Sequence, residues 1–184
     1  MKTTVIVVAI IVVIALYVIS LYNRLVRLNI NVNEAFAQIE VQLKRRSDLV
    51  PNLVETVKGY AAHEKDTFER VIAARAKATT ASTVADVAAA DGMVTQALRG
   101  LLAVAEAYPD LKASSNFMAL QEELSTTENK VAFARQYYND NVRALNAAVK
   151  TIPTSLFAGM AKVGLREFYE VEDPQSRQAP TVKF

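Results

Sequence analysis

Between Lys2 and Arg24 the chain carries no charged residue, and residues 5–19 are an unbroken apolar run that Ser20, Leu21 and Tyr22 continue. No other feature limits the possible folds as strongly. As a helix, residues 5–22 extend roughly 27 Å at about 1.5 Å per residue, close to a hydrocarbon thickness of about 30 Å. Tyr17 and Tyr22 fall towards the C-terminal end of the run, where amphipathic rings favour the interface between lipid and water. The spacing therefore predicts a membrane-spanning helix over residues 1–22. A buried core helix is a poorer reading, because few small proteins hide five turns that are apolar on every side. A cleaved signal peptide would share the basic start at Lys2, but the run is long for a signal core and no Ala-x-Ala site follows. A lipoprotein signal needs a cysteine, and the chain has none.

Charge says less about orientation. Lys2 stands before the span, and Arg24 and Arg27 stand just after it, with Lys44, Arg45 and Arg46 further on. The positive-inside comparison is nearly even and leans towards a cytoplasmic body with the N-terminus outside. Without Lys2, 20 basic residues face 19 acidic ones. That balance argues against a nucleic-acid partner, which calls for a concentrated basic face.

The 184 residues suffice for one domain. With no cysteine and one histidine, disulfide frameworks, thiol nucleophiles and metal sites with two imidazoles are excluded. Five glycines and five prolines leave little for hairpin turns. Helical period recurs four times. Leu25, Leu28, Val32, Phe36, Ile39 and Leu43 carry the membrane helix into an amphipathic one. Ser47-Asp48 then reads as an N-cap, with Pro51 in the first turn of a second helix bearing Leu49, Leu53, Val57, Tyr60, Phe68, Val71 and Ile72. A turn is expected at residues 79–83, where Thr83 and Asp86 form a capping pair for a third helix carrying Val87, Val94, Leu98, Leu101 and Val104.

Tyr108-Pro109-Asp110 ends the third helix, and Ser114, Ser115 or Asn116 caps a fourth. Its inward positions are Phe117, Leu120, Leu124, Thr127, Val131, Ala134, Tyr138, Asn141 or Val142, Leu145, Val149 and Ile152, in coiled-coil steps of three and four. A small fifth helix is expected over 156–168, and a disordered tail over 173–184. The fold class is thus all-α: an N-terminal transmembrane helix (1–22) followed by a long antiparallel up-and-down helical bundle (23–172). The same heptads could drive a homo-oligomeric stalk.

Catalytic patterns fail one by one. His63-Glu64 begins like a zinc-protease motif, but position 67 is threonine. Di-iron bundles want Glu-x-x-His twice, and here Tyr60 stands three before the single histidine. There is no Gly-x-Ser-x-Gly elbow and no glycine-rich phosphate loop. The expectation is a protein that is not an enzyme, with no catalytic residue, no metal and no cofactor. Polar strips flank the apolar seams: Asn52, Glu55, Ala62, Asp66 and Glu69 on the second helix, and Gln121, Glu128, Arg135 and Asn139 on the fourth. Hydrogen bonding inside the bundle explains such strips, and partner binding is the alternative. Lys44, Arg45 and Arg46 are the candidate contact for an anionic surface.

Several long motifs resemble the LemA family. They are FAQIEVQLKRRSDLVPNLVETVKGY over residues 36–60 and AAHE over 61–64, then AEAYPDLKA over 105–113, Asn116-Phe117, LQEEL over 120–124, TENK over 127–130 and ARQYYN over 134–139. The resemblance covers residues 5–170 and departs at Ser47, where many members carry histidine. It implies a single-pass protein of the cell (inner) membrane, with a short N-terminus outside and a helical bundle in the cytoplasm. It carries over no catalytic residues, because the family has no settled activity. It implies a place beside membrane protein quality control, with a membrane metalloprotease or a TPM-domain membrane protein as partner. The expected function is accordingly a membrane-anchored, non-enzymatic interaction or scaffold module. A lipid-binding or membrane-shaping bundle and an enzyme of unknown type are the alternatives.

Overall fold

In the computed structural model, which describes residues 1–170, every regular element is a helix: α1 (Lys2–Lys58), α2 (Lys65–Thr80), α3 (Val84–Glu106), α4 (Pro109–Lys112), α5 (Ser115–Lys150) and α6 (Ser155–Ala158). The all-α reading holds, with a long apolar N-terminal helix followed by further helices.

The break expected at Ser47-Asp48 does not occur. Helix α1 runs straight through Pro51. Proline has no N–H, so the Ser47 carbonyl one turn earlier loses its helical donor. The Arg75 guanidinium replaces it, donating from Nε to the Ser47 oxygen at 3.1 Å. The helix ends instead at Gly59, a poor helix former. Residues 59–64 make the turn, pinned by the buried Ala61. The polar strip imagined from Asn52 to Glu69 is therefore divided between two helices.

The chain forms two compact units. One comprises Met1–Gln38 with Arg135–Phe168, and the other comprises Ile39–Ala134 with the segment from Tyr169. In the second unit the C-terminal part of α1, helices α2 to α4 and the first part of α5 enclose one core, with Leu53, Val57, Leu98, Leu101 and Leu111 at its centre. Helices α2 and α3 pack side by side across the connection 81–83. The expected cap is present: Thr83 Oγ1 accepts from the Asp86 N–H at 3.1 Å and donates to the Asp86 carboxylate at 2.6 Å. Helix α3 is long and apolar enough to cross a membrane, but its stripe of Val87, Val94, Leu98 and Leu101 is spent on this core.

In the first unit the core is built from Leu25, Val32 and Ala35 of α1 with Tyr138, Val142, Leu145 and Ala148 of α5. The Phe36 and Tyr138 rings meet at 5.7 Å and 55°, a tilted pair. At the end of α5 the seam takes in Ala148, which is buried, and Val149, half-buried against the same core; Ile152, expected to continue it, is 80% exposed because α5 has already ended.

The fifth helix expected over 156–168 shrinks to α6 and a tight turn. Lys162 adopts the left-handed conformation (φ 52°). There Val163 N–H reaches the Ala158 carbonyl at 3.0 Å and Lys162 N–H the Gly159 carbonyl at 3.1 Å, the pattern of a Schellman stop. From Gly164 the chain belongs to no helix, so its carbonyls need partners from elsewhere. The Asn146 amide donates to the Arg166 carbonyl and accepts from the Arg166 N–H, both at 2.9 Å. Tyr138 donates to the Glu167 carbonyl at 2.9 Å. The Arg166 guanidinium donates to Asn29 and Asn33 of α1 at 3.0 and 3.1 Å. The segment 173–184, expected to be a tail, lies outside the described residues.

Candidate functional site

The most polar buried feature of the second unit sits on its apolar seams. Arg46 follows Ile39 and Leu43 and precedes Val50 and Leu53 on the inward stripe of α1; Asp91 lies between Val87 and Val94 on that of α3. Helical spacing therefore forces both side chains into the core, and they form an ion pair with side-chain exposures of 3% and 0%. Removing two charges from water is unfavourable unless each is further hydrogen-bonded. Arg46 also donates to Thr95 Oγ1 at 3.0 Å and to the Asp91 carbonyl at 3.1 Å. Tyr169, itself buried, donates its hydroxyl to the second Asp91 carboxylate oxygen at 2.9 Å.

This cluster borders a groove of about 400 Å³. Leu43, Ala78, Val87, Ala90 and Val94 supply apolar walls; Glu40, Lys44, Asp48 and Arg75 supply charge. The cations are already engaged. Lys44 pairs with Asp48 at 3.1 Å, Arg46 with Asp91, and Arg75 with the Ser47 carbonyl. The groove presents alternating charge on an apolar floor rather than a concentrated anion or cation site.

The candidate basic cluster is thereby divided. Lys44 and Arg45 are exposed, but Arg46 is 2% exposed and cannot contact an anionic surface. Its sequence neighbours lie on the outer face, while its own position belongs to the inner stripe. Asn52 and Glu55 are exposed on α1, as are Gln121 and Glu128 on α5; Arg135 and Asn139 are half-buried on α5. His63 is exposed in the turn after α1. Among the described residues no group of three or more His, Asp or Glu gathers as a metal site. Sequence reasoning missed Asp91, Thr95 and Tyr169. The available signal was a carboxylate at a core step of α3.

The ionisation of Tyr138 is displaced. Burial raises its pKa above the usual tyrosine value; the nearby Arg166 lowers it and Glu167 raises it, both less than burial does. It therefore stays a neutral hydrogen-bond donor to the Glu167 carbonyl.

Fold and side chains define an all-helical protein whose first helix is apolar enough to span a bilayer and whose second unit is held by a buried ion cluster. The LemA family model matches residues 35–184, and the chain belongs to that family. It is similar to Protein LemA of Metamycoplasma hominis, with 25% identity over 137 residues. That match covers 74% of this chain and 63% of the relative, so the chain spans less than two thirds of that protein's length.

Proposed function

We propose that this protein is a membrane-anchored, non-enzymatic interaction module: a helical bundle that α1 tethers to a bilayer and that engages a protein partner or a second copy of itself. One observation carries the reading. Along a single helix, residues 5–20 leave their apolar side chains exposed but for a half-buried Val18, and from Leu25 onward most apolar residues gather on a buried stripe. The exposed part needs lipid, and the striped part needs the other helices. The family resemblance supports a single-pass protein of the cell (inner) membrane with its N-terminus outside and its body in the cytoplasm. It also supports a membrane metalloprotease or a TPM-domain protein as partner.

The polar strip of Gln121 and Glu128, with Arg135 and Asn139 beyond, and the exposed Asn52 and Glu55 are the candidate contacts. With Arg46 buried, the lipid-binding alternative loses a third of the cluster on which it rested. Cross-linking in native membranes, followed by mass spectrometry, tests the proposal. A recurrent partner or an oligomer ladder whose links map to these residues is expected; a monomer without a recurrent partner contradicts it. With no native cysteine, a Ser115→Cys variant labelled by an impermeant reagent in intact cells fixes the orientation. Protection until the membrane is permeabilised is the expected result.

A further inference from the structure

A second apolar surface lies beside the end of the span. Ile152 before α6, Leu156 within it and Met160 just after it are 80%, 72% and 59% exposed. Their place in the fold is fixed from the inner side: Ala158 shares a core with Leu25 and Ala148, and Leu28, Val149 and Phe157 pack against it. Leu25 comes three residues after Tyr22, which is about 4.5 Å at about 1.5 Å per residue. A headgroup layer is about 5–7 Å thick on each side of the hydrocarbon. If residues 5–22 span a bilayer, α6 is level with its headgroups. Leu21 alone among residues 5–22 is buried, so the protein already covers the last turn of the run.

Charge points the same way. There is no aspartate or glutamate in residues 1–33 or in 141–166, the two stretches that build this end of the unit. Besides Lys2, Arg143 and Arg166, they contribute Arg24, Arg27, Lys150 and Lys162, all exposed. Lys162 occupies a left-handed position at the end of α6, where glycine is the unstrained choice. A lysine there carries an exposed cation two residues after Met160.

We infer that α6 and its Schellman turn form a second, interfacial membrane contact, in which Ile152, Leu156 and Met160 enter the headgroup boundary of the bilayer that α1 spans, and Arg24, Arg27, Lys150 and Lys162 engage anionic lipid headgroups. The inference rests on the anchor reading above. Such a contact would fix the height and rotation of the unit at the membrane, which a lone span leaves open.

The test uses the full chain in nanodiscs of phosphatidylcholine, with and without phosphatidylglycerol. An environment-sensitive fluorophore is attached to a single cysteine at one of three positions, Val12→Cys, Met160→Cys or Glu128→Cys, with helicity checked for each. Lipids carrying a spin-label quencher at a deep or a shallow position report depth. The Val12 site should be quenched best by the deep label, the Met160 site best by the shallow label and more strongly with phosphatidylglycerol, and the Glu128 site by neither. Adding Ile152→Ser and Leu156→Ser to the Met160 probe should abolish its quenching while leaving the Val12 site unchanged. A quenched Val12 with an unquenched Met160 overturns this inference and leaves the anchor intact. Shielding of Met160 only when two copies share a disc overturns it in favour of self-association. An unquenched Val12 removes the anchor and this contact together. Separately, Lys162→Gly should raise the unfolding midpoint and weaken the phosphatidylglycerol dependence; an unchanged dependence removes Lys162 from the contact.

Discussion

Helix α1 contains two regions with the same backbone and opposite needs. Residues 5–20 are apolar on every face and exposed but for a half-buried Val18; from Leu25 to Val57 most apolar residues keep to steps of three and four, Ile30 and Val41 standing outside the stripe, and Leu25, Val32, Ile39, Leu53 and Val57 are fully or almost fully buried. Hydrophobicity alone does not separate them. Its angular distribution does: an all-round apolar helix asks for a solvent of lipid, whereas a stripe asks for a neighbour. Substitutions in the two regions should accordingly fail in different assays.

The largest effect should come from the polar pair on the buried stripes. Arg46→Ala leaves the Asp91 carboxylate in the core without its charge partner, and is expected to cost about 3–5 kcal/mol in denaturant unfolding of the detergent-solubilised chain. Replacing both residues by apolar ones of similar volume should recover much of that loss. A loss below about 1 kcal/mol for the single variant would place Arg46 in the solvated range of surface pairs. Next, Leu53→Ala should cost about 2–5 kcal/mol in the same assay through the cavity it leaves. Ile10→Ala should leave bundle unfolding unchanged, and Ile10→Lys should instead impair membrane insertion by about 2.5–3.5 kcal/mol. If Ile10→Ala destabilises the bundle, the division of α1 into two regions is wrong.

The proline passage gives a smaller, sharper test. Arg75→Ala strands the Ser47 carbonyl and should cost about 1–3 kcal/mol. In a Pro51→Ala background the helical N–H is restored, and the same change should cost clearly less. Equal costs in both backgrounds would show that Arg75 acts through something other than that carbonyl.

The smallest effect concerns Tyr138. Its folded pKa is raised, so the folded chain holds this proton more tightly than the unfolded chain does. Its contribution is complete below the unfolded value of about 10 and is lost as pH rises through the folded value. Stability should therefore fall with pH above about 10, and Tyr138→Phe, which also loses the bond to the Glu167 carbonyl at about 1 kcal/mol, should flatten that slope.

What could be read from the residues alone was what they determine locally. The long apolar N-terminal helix, the stripes of α1, α3 and α5, and the Thr83-Asp86 cap depend on spacing within a few turns. The errors arose where a distant residue intervened. Pro51 signals a helix start because its missing hydrogen bond is normally fatal inside a helix, and nothing nearby shows that Arg75 supplies it. Arg46 resembled its basic neighbours until α3 brought Asp91 to it. Residues 156–168 read as a helix, but beyond the turn after α6 the Asn146 and Tyr138 side chains bond a backbone that is not helical. Of the candidate site residues, Asn52, Glu55, Gln121 and Glu128 are exposed on their helices, and their role is a matter for the cross-linking experiment.

The central claim is that the first region of α1 belongs to lipid and the second to the bundle. Alkaline carbonate extraction of membranes expressing either the full chain or residues 23–184 tests it most directly, since carbonate strips peripheral contacts, including any made by α6, and leaves spanning helices in place. The full chain should stay in the membrane pellet, and the shorter chain should be released and remain helical. Release of the full chain, or retention of the shorter one, would contradict the account.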